Sequence, residues 1–258
     1  MCGRYTLGRQ PNSLLDYFHL HGEVPVYHLS WNITPSQMAP VVLQDTMQGA
    51  DAGPVCQLMR WGLVPGWSKG PDPRYNMINA KAETIEQKPA YKNAFRQRRC
   101  LIPCDGFYEW HAVPEHKLEQ SSEPLSVLAP EPASKKNTKN KMKTAKQPYY
   151  IYKNDDSLLA LAGIWEQWTS PDASQQIDSF SIITTDANPF MQNIHHRMPV
   201  ILNPDQFDTW LSEHHQASDQ LKSLLVPYQG DDLAMHAVSK AVNSPKNDGI
   251  ELTEAVEA

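Results

Sequence analysis

The sequence predicts an α+β fold whose mixed or antiparallel sheet curls towards a barrel, with short helices scattered around it. Three observations carry that expectation. Short apolar and aromatic runs broken by Pro and Gly dominate the chain, as strands bounded by turns do. Helical periodicity appears only in brief stretches. Strands and helices do not alternate, so no βαβ rhythm argues for a doubly wound parallel sheet.

In chain order, residues 13–20 read as a short helix with Leu14, Leu15 and Phe18 on one face. Residues 40–43 and 57–63 read as strands. Residues 88–98 read as a second helix, with Pro89 in the first turn, where a missing N–H costs no hydrogen bond. Residues 100–103 and 106–110 read as strand segments around a turn. Residues 113–146 break the pattern: they hold four prolines, many Ser, Glu and Ala, and six lysines from position 134 onward. Hydrophobicity this low does not offset ordering entropy. The stretch reads as a disordered insertion between two strands, either a solvated loop or a basic arm that touches phosphate. Strands resume at residues 148–152, 158–164 and 180–184. Residues 203–212 read as a helix with Asn203 as N-cap and Pro204 at its first position. A single domain is expected over 1–245, followed by an acidic tail, 246–258, that carries Glu251, Glu254 and Glu257.

At 258 residues and 40% apolar, the chain is long enough to bury a sizeable core. Its formal net charge of −6 argues against coating nucleic acid by bulk charge. A local basic groove stays open, because Arg60, Lys69, Arg74, Arg96, Arg98 and Arg99 fall near the motifs below. The four cysteines are too few for a disulfide framework at this length. Cys100 and Cys104 have half of a zinc spacing, but no second pair matches it, so no metal and no cofactor are expected. No apolar run reaches membrane-spanning length and no signal peptide opens the chain. A monomer in a reducing cytoplasm is expected.

Position 2 carries the most distinctive chemistry. Removal of Met1 would leave Cys2 with both a free thiol and a free α-amine. Their reference pKa values are about 8.5 and about 7.7–8.0. A 1,2-aminothiol condenses with an aldehyde: the amine gives an imine, and the thiol closes on the imine carbon to form a thiazolidine. Four further segments stand out. They are Trp61-Gly62-Leu63-Val64-Pro65-Gly66-Trp67, the stretch from Arg74 to Thr84, Asp105-Gly106-Phe107-Tyr108-Glu109-Trp110, and Ile194-His195-His196-Arg197-Met198-Pro199. Taken singly, Glu109 fits an exposed strand residue, His195 a core histidine, Asn79 a turn residue and the tryptophans a core.

Taken together with Met1-Cys2-Gly3-Arg4-Tyr5, these segments resemble the SRAP (SOS response-associated peptidase) family. The match includes Ile78-Asn79-Ala80-Lys81, Glu83-Thr84, Thr184 and the Val238-Ser239…Val242-Asn243 stretch. The resemblance implies the SRAP fold and a DNA-damage role in which Cys2 captures the ring-opened aldehyde of an abasic site in single-stranded DNA. The product is a thiazolidine DNA–protein crosslink that shields the lesion, and the peptidase name reflects removal of Met1.

The resemblance assigns Cys2, Asn79, Glu109, Thr184 and His195 to catalysis, and elementary chemistry fits each role. Glu109, desolvated between Tyr108 and Trp110, opens the sugar ring as acid and base in turn. His195 protonates the departing water near neutral pH, with His196 the neighbouring alternative. Asn79 orients the Cys2 amine without changing its charge, and Thr184 holds a hydroxyl near the same centre. Arg4, Lys81 and Arg197 are expected at phosphates, and Trp67 stacked on a neighbouring base; Trp61 fits the core better. Lys81 stands where the family usually has Arg, so this contact loses the bidentate fork. Other readings are an N-terminal-nucleophile cysteine hydrolase, a non-catalytic single-strand binding module, and a protease acting on other proteins.

Overall fold

The apolar runs pair as strands, and the pairing closes on itself. The computed structural model describes residues 2–45, 53–72, 76–113, 145–212 and 218–257. In chain order the strands are β1 (Arg4–Leu7), β2 (Ser30–Ile33), β3 (Met38–Gln44), β4 (Pro54–Trp61), β5 (Asn79–Lys81), β6 (Arg99–Cys104), β7 (Gly106–Val113), β8 (Ala145–Lys153), β9 (Leu159–Thr169), β10 (Gln176–Asp186), β11 (Arg197–Pro199), β12 (Ile201–Leu202) and β13 (Leu233–Ala237). One sheet is antiparallel, in the order β13-β8-β7-β1-β2. In the other, β10 pairs with β4, β4 with β3, β3 with β6, β6 with β9, and β9 with β10 again. That ring of five strands is a barrel, parallel only where β10 meets β4.

β10 is the hub. One of its edges takes β4 and then β5, and the other takes β9 and then β11. The register sets Thr184 between Lys81 of β5 and Pro199 of β11. Two short segments far apart in sequence therefore flank the end of one central strand.

The helices are brief. They are α1 (Pro11–Tyr17), α2 (Pro89–Gln97), α3 (Pro189–Gln192), α4 (Phe207–Leu211) and α5 (Ser218–Ser223). Proline opens each of α1, α2 and α3, where its fixed φ suits the first turn. α1 starts at Pro11, ahead of the apolar spacing, and stops at Tyr17, before His19 takes a φ of 51° and turns the chain. The helix expected over 203–212 begins as a 3₁₀ turn, Pro204–Gln206, before α4. Gln206 reaches back to accept the Asn203 N–H at 2.9 Å, a capping role the sequence reading gave to Asn203 alone.

The main core lies between and within the sheets. Trp61 is fully buried, edge-on to Tyr5 at 5.1 Å and stacked with Phe180. A smaller cluster of Tyr108, Tyr150, Val238, Val242 and Leu252 covers the opposite face of the five-stranded sheet. Gly106 permits the sheet's tightest contact, since a Cβ there would meet Ile151 O at 2.5 Å.

One expectation changes. Residues 246–257, expected as a tail, close over this second cluster. Leu252 is buried within the 3₁₀ turn Ile250–Thr253, and Ala255 bridges to Val238. The acidic side chains Glu251 and Glu254 stay at exposed positions, so composition recorded the surface and missed the anchor. The expected insertion sits inside a hairpin, because β7 and β8 pair up to Val113↔Ala145. Its residues 114–144, like Met1 and Arg74, lie outside the described residues.

Candidate functional site

Strand alternation decides which side chains converge. Successive residues of β7 point to opposite faces. Phe107 belongs to the main core and Tyr108 to the outer cluster, so Glu109 faces the core side. It is 4% exposed. Its desolvation therefore comes from the core side of the sheet, and the flanking Tyr108 and Trp110 expected to bury it lie on the other face.

Cys2 precedes β1 and is fully buried. Its Sγ makes a long contact to Arg4 O, 3.8 Å. Asn79, at the start of β5, donates from Nδ2 to Cys2 O at 2.8 Å. Asn79 thus grips the carbonyl of Cys2, where the expectation was its amine. Asn79 Oδ1 is buried and has no hydrogen-bond partner among the described residues.

Burial pushes the Cys2 thiol up to about 12, and the nearby negative charge of Glu109 adds to the effect. The thiol is neutral at physiological pH. Burial lowers His195 below its ordinary value, while the same Glu109 charge works in the opposite direction. One carboxylate therefore acts on both Cys2 and His195, which ties three expected residues into one electrostatic centre.

His195 follows α3, and its N–H is held by Met191 O at 2.9 Å. The backbone N–H of Arg197 donates to His195 Nδ1 at 3.0 Å. The Arg197 carbonyl oxygen lies 3.2 Å from the same Nδ1, so either tautomer of the neutral ring finds a backbone partner there. His196 stacks against it at 4.3 Å. Thr184 is fully buried, and its Oγ1 has no hydrogen-bond partner among the described residues.

The two arginines expected at phosphates bind protein acceptors. Arg4 donates to Asn32 Oδ1 at 2.7 Å, Val242 O at 2.8 Å and Asn243 O at 3.1 Å. These partners are uncharged, so Arg4 keeps its field. Arg197 meets both carboxylate oxygens of Glu83 at 2.6 and 2.9 Å, Asp186 Oδ1 at 2.8 Å and Thr184 O at 2.7 Å. The Arg197 hydrogen bond holds the Glu83 carboxyl below its ordinary range. Glu83 belongs to a motif the sequence picks out, but its pairing across β5 and β11 is invisible before the strands are placed.

Trp67 is 70% exposed, as a stacking platform requires. It lines a cavity of about 440 Å³ together with Met77, Asn79, Lys81, Lys88 and Tyr91. A larger cavity of about 1000 Å³ adjoins it, sharing Trp67 and Met77 and including Arg60 and Lys69. Asn79 thus links the Cys2 backbone to a trough with an exposed indole and four cationic side chains. Among the described residues no cluster of His, Cys, Asp or Glu is arranged to hold a metal. Among them, too, no helix is long and apolar enough to cross a membrane.

The chain is matched over residues 1–245 by the family model described as SOS response associated peptidase (SRAP). It is 35% identical over 258 residues to the abasic site processing protein YoqW of Bacillus subtilis, covering 99% of this chain and 100% of that protein. It is 36% identical over 257 residues to the abasic site processing protein YoaM of the same organism, covering 99% and 98% of the two chains. A crystal structure of a Bacteroides thetaiotaomicron protein superposes with a TM-score of 0.76 at 21% identity, over 99% of this chain and 100% of that one. That likeness concerns the fold.

Proposed function

Because the chain belongs to the SOS response associated peptidase family, we propose that it captures abasic sites in single-stranded DNA covalently, through Cys2 after Met1 has been removed. The observation that carries this reading is the shared electrostatic centre: one buried carboxylate, Glu109, acts on both Cys2 and His195. The curated relatives named as abasic site processing proteins support the substrate class.

The chemistry proceeds in balanced steps. Glu109 moves the proton that converts the closed sugar hemiacetal to its aldehyde. The Cys2 α-amine adds to that carbonyl, and the carbinolamine loses water to give an imine. His195 supplies the proton that leaves with the water. The Cys2 thiol then adds to the imine carbon while its proton passes to the imine nitrogen, giving the thiazolidine. A thiol pushed up to about 12 is a poor unassisted nucleophile, so the amine acts first and the thiol needs a base. Glu109 is that base, taking the thiol proton and passing it on to the imine nitrogen. The same property disfavours the cysteine-hydrolase alternative, which needs a thiolate to begin. Removal of Met1, the peptidase step, belongs to the same centre in this reading.

Asn79 fixes the Cys2 backbone from one side and offers Oδ1 to the amine. Thr184 adds a buried hydroxyl to the same end of β10. Arg197 orients His195 through its backbone N–H. Its guanidinium reaches a phosphate only by exchanging Glu83 or Asp186 for it, whereas Arg4 contributes its uncompensated charge. Lys81 and Trp67 supply the exposed phosphate and base contacts. The protein works as a monomer in the cytoplasm, at the nucleoid when bound to DNA.

The test is a denaturing gel with intact mass on protein mixed with single-stranded DNA bearing one abasic site. Wild type forms a heat-stable adduct that lacks Met1 and one water, and Cys2→Ala forms none.

A further inference from the structure

Val242 and Asn243 play no part in the reading above, yet they touch both strands that carry it. The β1–β7 ladder starts at the pair Arg4↔Tyr108. Cys2 and Glu109 both lie beyond that first pair, where the ladder no longer sets their separation. On the opposite face of the sheet, Asn243 spans the same end. Its carbonyl oxygen accepts from Arg4 Nη2 at 3.1 Å, and its side-chain Oδ1 accepts from Trp110 Nε1 at 2.8 Å. Arg4 is two residues from Cys2, and Trp110 is next to Glu109.

The bridge is itself anchored. Asn32, 1% exposed on the edge strand β2, accepts from Arg4 and donates to Val242 O at 3.3 Å, Ser244 O at 3.0 Å and Asn247 O at 2.7 Å. A buried amide whose two N–H groups are shared among three carbonyls of one segment fixes that segment's position, because moving the segment away would leave those buried donors unsatisfied. The segment's own helical content is a single 3₁₀ turn, Lys240–Asn243, too short to hold its place without those partners.

We infer that Asn243 is a positioning residue, bridging Arg4 and Trp110 so as to hold Cys2 at its working distance from Glu109. This rests on the aldehyde-capture reading of those two groups. Reacting atoms must approach to about 3–3.5 Å, and a misplacement of about 1 Å can cost roughly 100-fold in rate. A bridge over the open end of the ladder is where such an error would otherwise enter.

The experiment compares single-turnover crosslinking at saturating abasic single-stranded DNA for wild type, Asn243→Ala, Asn243→Asp, Trp110→Phe and the Asn243→Ala/Trp110→Phe double variant. Binding to intact single-stranded DNA and melting temperature are measured alongside. Asn243→Ala slows crosslinking about tenfold, with affinity for intact DNA within about twofold. Asn243→Asp keeps an oxygen for the indole N–H and recovers most of the rate, a rescue that loss of packing would not give. Trp110→Phe, which keeps an aromatic ring and loses the donor, is as slow as Asn243→Ala, and the double variant is no slower than either. Asn243→Ala at the wild-type rate, Asn243→Asp as slow as Asn243→Ala, or multiplying effects in the double variant would overturn the inference. Wild type forming no adduct would instead remove the aldehyde-capture reading, and this inference with it.

Discussion

In the proposed capture chemistry, Glu109 is the residue on which the reaction turns. Glu109→Gln keeps the shape and removes the charge and the proton exchange. General acid–base catalysis contributes about 10²–10⁴-fold, so crosslinking should slow by that order while binding to intact single-stranded DNA is unchanged. Single-turnover gels beside a binding titration check both. His195 predicts a pH profile. Burial lowers its conjugate acid below the ordinary value of 6.5, and an unperturbed α-amine has a reference pKa of about 7.7–8.0. The proposed route needs the imidazolium and the neutral amine. Because the acid has the lower pKa of the two, the rate rises through the His195 pKa, is level between, and falls above the amine pKa. His195→Gln should abolish the alkaline fall and leave a rate that rises to a plateau; a surviving alkaline fall would assign the proton elsewhere. The thiol, the carboxylate, the imidazole and the amide were all legible as residue types. The grip of Asn79 on the Cys2 carbonyl and the charge pair of Arg197 with Glu83 were not. Both depend on strands that meet across more than 70 residues of chain.

Strands whose interiors are apolar were legible as elements: β3, β6, β7, β8 and β10 coincide with apolar runs between turn residues. β1, β2, β5 and β11 were not read as strands. They are three or four residues long and carry Arg4, Asn32, Asn79, Lys81 and Arg197. Short strands rich in functional polar groups have too little periodicity to register, so local pattern found β7 and β10, which carry Glu109 and Thr184, and missed the short strands that complete the site. The hairpin of β7 with β8 is sensitive to mutation at Gly106. Gly106→Ala would drive a Cβ against Ile151 O and the Tyr150 ring. Overpacking of this kind costs about 1–3 kcal/mol, measurable as a lower denaturation midpoint with unchanged slope. It should slow crosslinking as well, because Glu109 lies on the same strand.

Across the whole molecule, the barrel fixes β10 as a scaffold, the five-stranded sheet presents Cys2 and Glu109, and the carboxyl-terminal segment closes over that sheet's far face. Barrel closure and that final segment depend on long-range pairing, β10 with β9 and Ala255 with Val238, which no local window reveals. The trough beside the site predicts separable effects on DNA affinity. Trp67→Ala should weaken binding to single-stranded DNA by about 1–3 kcal/mol, with little change in salt dependence. Lys81→Ala should lower the salt slope by about one ion. Titrations at several salt concentrations separate the two. Capture by Cys2 stands or falls on the bond itself, which intact mass spectrometry of the gel-purified adduct reads. Capture yields protein without Met1, joined at Cys2 to the abasic strand with loss of one water, and no such species from Cys2→Ala. An adduct that persists in Cys2→Ala, or none from wild-type protein confirmed to begin at Cys2, would contradict it.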